Sequence, residues 1–131
     1  MTFGLFLSAT DKKPMYVQIV EQITSKVVLG DWPADMALPS IRELAASTQV
    51  SVITVKRAYT ELELAGVIVT QAGRGSFVST QPDLQQRLKH QQLMDHLSLA
   101  VDVARQLQVT DEQVLDLLQQ QLNQQPELKQ T

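Results

Sequence analysis

Leu38-Pro39-Ser40-Ile41-Arg42-Glu43-Leu44-Ala45, followed closely by Val50-Ser51-Val52-Ile53-Thr54-Val55-Lys56-Arg57-Ala58-Tyr59, is the stretch that decides the fold. Ser40 with Glu43 three residues on is the pattern of a capping box, in which each side chain hydrogen-bonds the other residue's backbone N–H. It predicts a short helix to about Ser47 with Ile41, Leu44 and Ala45 inward. Thr48-Gln49-Val50 makes a turn. Ser51 caps a second helix to about Ala65, whose buried stripe is Val55, Ala58, Tyr59 and Leu62. Gly66 stops it. Val67-Ile68-Val69-Thr70 and Ser76-Phe77-Val78-Ser79 then flank Gln71-Ala72-Gly73-Arg74-Gly75, the pattern of a hairpin with a glycine turn. Helix, turn, helix, hairpin is the layout of a winged helix-turn-helix, a unit that places its second helix in a DNA major groove.

On the N-terminal side, Pro14 opens a helix in which Tyr16, Ile19, Val20, Ile23 and Val27 recur at helical spacing, and Gly30 ends it. Tyr16 and Trp32 read as core anchors, and Met36-Ala37-Leu38 as a short extended piece. Phe3, Leu5, Phe6 and Leu7 are apolar residues ahead of the first helix, for which intramolecular packing and contact with a partner or the wing are both open. On the C-terminal side, Thr80-Gln81-Pro82 is a linker. A long helix over about 83–108 carries Leu84, Leu88, Met94, Leu97, Val101, Ala104 and Leu107. Thr110 with Gln113 is a second capping box, opening a helix to about Gln124 with Val114, Leu115, Leu118 and Leu122 as its stripe. The tail to Thr131 is expected to fray. The fold class is therefore mainly α with a small β-hairpin. A winged helix-turn-helix over 1–80 precedes a two-helix hairpin over 81–131.

Two helices cannot bury apolar residues on both sides by themselves. A second copy supplies the missing surface, so the hairpin is expected to dimerise through Leu97, Val101, Ala104, Leu107, Leu118 and Leu122.

The composition narrows the function. The 131 residues contain no cysteine, which excludes disulfides, thiolate metal sites and cysteine nucleophiles. Met1 to Leu7 is too short for a signal-peptide core, and no apolar run approaches a bilayer span, so a soluble, cytoplasmic chain without membrane contact is expected. His90 and His96, six residues apart, miss the spacing of a helical metal pair. No serine, histidine and carboxylate set suggests catalysis, and no cofactor is implied. The net charge is −3, but 1–80 holds seven Lys/Arg and seven Asp/Glu, while 81–131 holds four and seven. Within 40–60, Arg42, Lys56 and Arg57 face only Glu43. This is a local basic patch that makes few phosphate contacts per protomer, so useful affinity for DNA calls for a dimer.

Pro14, Tyr16, Gln18, Ile19, Gly30, Leu38-Pro39-Ser40, Arg42, Leu44-Ala45, Val50-Ser51, Thr54-Val55, Ala58-Tyr59, Leu62, Gly66, Gly73, Gly75 and Phe77-Val78 fall in order over about 14–79. In them the chain resembles the GntR family of bacterial transcriptional regulators, and its short two-helix C-terminal part resembles the YtrA-type subfamily. The resemblance implies a homodimeric regulator, usually a repressor, on a two-fold symmetric double-stranded DNA operator. It puts Arg42 and Lys56 at phosphates or base edges, Ser51, Ile53 and Thr54 in the groove, and Gly73 and Arg74 at the minor groove. Many relatives carry an arginine where Val52 stands. Val52 makes no hydrogen bond and can touch only a thymine methyl.

From the residues themselves, Ser51 and Thr54 at a helix N-terminus suit phosphates or bases. Arg57 is either a DNA contact or the i,i+4 partner of Glu61. The alternative partners of Arg42 are Glu43 and Glu21. A winged-helix protein-interaction module that never reads DNA is the rival reading, and a small-molecule effector in the dimer seam is left open.

Overall fold

The computed structural model describes residues 3–125, and the C-terminal tail expected to fray lies outside them from Pro126 on. Its elements are α1 (Met15–Leu29), α2 (Ile41–Thr48), α3 (Val52–Leu64), β1 (Ile68–Gln71), β2 (Gly75–Val78), α4 (Leu84–Gln106) and α5 (Asp111–Gln124). The fold is the expected winged helix, mostly helical with one antiparallel two-stranded hairpin.

Each boundary has a local cause. Pro14 precedes the first helical residue, and Gly30 closes α1 in the left-handed conformation at φ 83°. Ser40 and Glu43 form both bonds of the capping box of α2 (2.9 and 3.0 Å). The turn into α3 uses Gln49 at φ 58°, a conformation that usually selects glycine or asparagine. Ser51 accepts the Thr54 N–H at the start of α3. In the wing, Ile68 pairs with Val78 and Gln71 with Gly75, and Gly73 supplies the positive φ (75°) that the turn requires.

The first compact unit runs to Lys89 and the second begins at His90, so the two divide within α4 and not at the Thr80-Gln81-Pro82 linker. The reason is packing. Leu84 and Leu88 are buried in the same core as Ile19, Ile23, Leu44, Val55, Leu62, Val67 and Val78. Met36–Leu38 lies alongside β2 as an extra short strand, through Val78 N–H to Met36 O and Leu38 N–H to Ser76 O, both 2.9 Å. Ahead of α1, Leu5 is core, Phe3 and Leu7 pack against it, and Phe6 points out at 84% exposure. Two α1 glutamines hold this segment as a strand would. The Gln22 amide exchanges two bonds with the Phe6 backbone, and the buried Gln18 amide exchanges two with Ser8 and donates a third to Lys13 O.

In the second unit, Thr110 and Gln113 form the second capping box. Gln108, at φ 57°, turns the chain between α4 and α5. Ala104, Val109 and Val114 are half-buried near that turn, but most other apolar residues of the unit are exposed. No helix among the described residues is long and apolar enough to cross a membrane.

Candidate nucleic-acid interface

The site is built around α3. Val55, Ala58, Tyr59 and Leu62, the expected stripe, are all buried. With about 100° per residue, that stripe fixes what faces out: Ile53 and Thr60 in the middle, Lys56 on one side and Arg57 on the other. All four are exposed, Ile53 at 81%. Val52 at the first helical position is 45% exposed.

Hydrogen bonds set the position of each flanking element. The Tyr59 hydroxyl donates to Pro39 O at 2.7 Å, which ties the start of α2 to the middle of α3. Burial pushes that hydroxyl's pKa up, so it remains a donor at neutral pH. Arg42, two residues past the Ser40 cap, is thereby held on an exposed turn. At the other end of α3, Glu63 accepts the Thr70 hydroxyl at 2.7 Å, and Thr70 meets Ser76 across the hairpin. The wing is anchored to α3 one pair short of its turn, and Arg74 lies at its exposed tip beside Gly73.

The charges are free to meet a ligand. Among the described residues the ion pairs are Lys13–Glu21, Arg87–Asp83 and Arg105–Asp111, so Arg42, Lys56, Arg57 and Arg74 have no carboxylate partner. Glu21 is taken by Lys13 and Glu43 by its cap, which leaves neither for Arg42. Arg57 does not reach Glu61. Its guanidinium lies 3.8 Å over the Tyr16 ring and donates to the Tyr16 hydroxyl at 3.1 Å. Sequence reasoning missed this pairing because 41 residues separate the partners and an aromatic residue in a first helical turn reads as core. The Ser51 and Thr54 hydroxyls lie 2.8 Å apart and bond one another, which leaves them less capacity for bases.

The six residues expected at the dimer seam do not share one face. Val101 lines a groove with Val114 and Leu115, whereas Leu107 lines another with Leu99, Val103 and Leu117, and Ala104 borders both. His96 borders the second groove, and no group of three His, Asp or Glu side chains gathers among the described residues.

Residues 15–78 match the family model described as bacterial regulatory proteins, gntR family. Over 104 residues the chain is 33% identical to an uncharacterized HTH-type transcriptional regulator, YhcF of Bacillus subtilis, covering 79% of this chain and 86% of that protein. The chain belongs to the GntR family. This GntR-family regulator is similar in structure to YtrA from Sulfolobus acidocaldarius, a GntR-family transcription factor (TM-score 0.58, 31% identity, 73% of this chain and 97% of that one). It is therefore YtrA-like. It is also similar to AraR(DBD), solved in complex with operator ORX1 (TM-score 0.51, 30% identity, 57% of this chain and 93% of that one). The GntR regulator is a DNA-binding transcription factor, and its relatives fill a non-enzymatic role.

Proposed function

We propose that this regulator works as a homodimer on a two-fold symmetric operator and represses by blocking polymerase. The α3 helix of each protomer enters a major groove, and the Gly73–Arg74 wing tip meets the adjoining minor groove. The observation that carries this reading is the exposed face of α3, with Ile53 and Thr60 in the middle, a cation on each edge, and no ion pair to a carboxylate among the described residues. The operator complex of the similar AraR domain supports it. Arg42 and Lys56 serve the phosphates, while Val52, Ile53 and Thr54 face the bases.

The dimer forms through the arm of α4 and α5. Met94, Leu97 and Val101 of α4 and Leu115, Leu118 and Leu122 of α5 are exposed at helical spacing, and Val101 lines one groove with Leu115. A four-helix bundle needs that arrangement. The opposite groove draws only Leu117 from α5. Nothing in this reading requires an effector or a cofactor.

Selection of genomic fragments by the purified chain, then footprinting of the strongest, tests the proposal. A protected site with two-fold symmetry is expected. Weak binding that ignores sequence and vanishes with salt would overturn it in favour of a protein-interaction module.

A further inference from the structure

Arg57 is held in an unusual way for an exposed cation. Its guanidinium is placed by an aromatic face and a neutral oxygen, both from Tyr16, and not by a carboxylate. Its charge is therefore oriented without being neutralised. One of its five N–H groups goes to the Tyr16 oxygen, and the others remain available. The Tyr16 hydroxyl accepts that bond and keeps its own proton to donate. Two adjacent donor groups with a net positive charge suit the oxygens of a phosphodiester. Ordering a long arginine side chain in advance also removes part of the entropic cost of binding.

We propose that Tyr16 of α1 and Arg57 of α3 form a phosphate clamp on the DNA backbone, on the strand opposite the one that Lys56 meets. The inference rests on the DNA-binding reading above. The strand assignment follows from helix geometry. Lys56 and Arg57 project about 100° apart, and Ile53 and Thr60 project between them. A helix seated in a major groove about 12 Å wide has one phosphate backbone on each side. A side chain on either edge of its exposed face therefore meets a different strand.

The test uses the full chain, a duplex obtained by selection, and a scrambled duplex of equal length. Arg57→Ala is expected to weaken binding to both duplexes about tenfold and to flatten the salt slope by about one unit. Arg57→Lys keeps the charge but loses the ring contact and the fork. It is expected to retain the slope and lose affinity. Tyr16→Phe keeps the ring and removes only the hydroxyl, at a cost of about threefold. Single neutral methylphosphonates along the duplex then locate the contact. The positions to which Arg57→Ala has become insensitive should lie on the strand opposite those of Lys56→Ala. The clamp is wrong if Tyr16→Phe and Arg57→Ala bind with wild-type affinity and slope while Lys56→Ala is weakened, for Arg57 then only staples α3 to α1. It is also wrong if both sets of positions share a strand. If the wild-type chain selects no duplex, the DNA reading falls and the clamp with it.

Discussion

Ile53 is the most exposed apolar side chain of α3, and Val52 beside it is nearly half exposed. Neither stabilises the monomer there, and the two hydroxyls of the same turn are engaged with each other. The chemistry that the tip of α3 offers to a base edge is thus largely apolar. In the major groove the apolar mark is the C5-methyl of thymine. Replacing single thymines of a half-site by uracil, which removes only that methyl, should weaken wild-type binding at one or two positions. Burial of one such group is worth about 0.8 kcal/mol, or roughly fourfold. Ile53→Ala should abolish the sensitivity at one of these positions and leave the rest of the profile unchanged in competition titrations. A wild-type profile indifferent to every uracil would show that Val52 and Ile53 do not read bases. The sequence singled out Val52 through the family resemblance, as a side chain that makes no hydrogen bond and can touch only a thymine methyl. The stripe of Val55, Ala58, Tyr59 and Leu62 put Ile53 on the outward side from sequence, and the structure adds its 81% exposure.

The elements with strong local signals were legible, because a cap or a glycine acts within one turn of chain. The capping box at α2 is one such case, and it can be tested as an element. Ser40→Ala should cost about 1 kcal/mol, read as a lower urea midpoint with an unchanged m-value. The Ser40 backbone N–H and hydroxyl hold the exposed Glu43 carboxyl below its ordinary value of 4.5. A lowered carboxylate pKa contributes stability that is fully present above 4.5 and is lost as pH falls through the depressed value. Ser40→Ala should reduce that part of the acid dependence, so wild-type and variant midpoints converge as the solution is acidified below pH 4.5. What could not be read locally is the segment ahead of α1, where hydropathy alone did not separate Leu5, which is core, from Phe6, which is exposed. The alternation is set by glutamine amides on α1 that stand in for a neighbouring strand, a contact across 10 to 16 residues. Gln18→Leu would leave the Ser8 N–H and two carbonyls without their partners, at a cost of about 2–3 kcal/mol. A urea midpoint equal to wild type would show that water replaces the amide.

At the scale of the whole molecule, the balance of charge and apolar surface argues for two copies. Residues 1–80 carry no net charge, so one winged unit is expected to make few phosphate contacts and to bind DNA weakly by itself. The arm compensates if it pairs, because a tethered second unit binds at a raised effective concentration, worth about 10²–10⁴ in avidity. Counting leucines along α4 in a single register placed Val101 and Leu107 on one seam, but apolar residues occupy both flanks of that helix and the two face different grooves. The flank to which both helices contribute is the one expected to close the dimer. Val101→Glu puts a charge in the middle of that flank and should convert the protein to a monomer in sedimentation equilibrium. Leu99→Glu, on the other flank, should leave it dimeric. In DNA titrations the monomer contacts half the phosphates, so the Val101→Glu variant should bind with about half the wild-type salt slope and protect one half-site. If Leu99→Glu dissociates the protein and Val101→Glu does not, the seam runs along Leu99, Val103, Leu107 and Leu117. If neither does, the arm is not what joins the protomers, and the weak charge of the winged unit must be offset elsewhere.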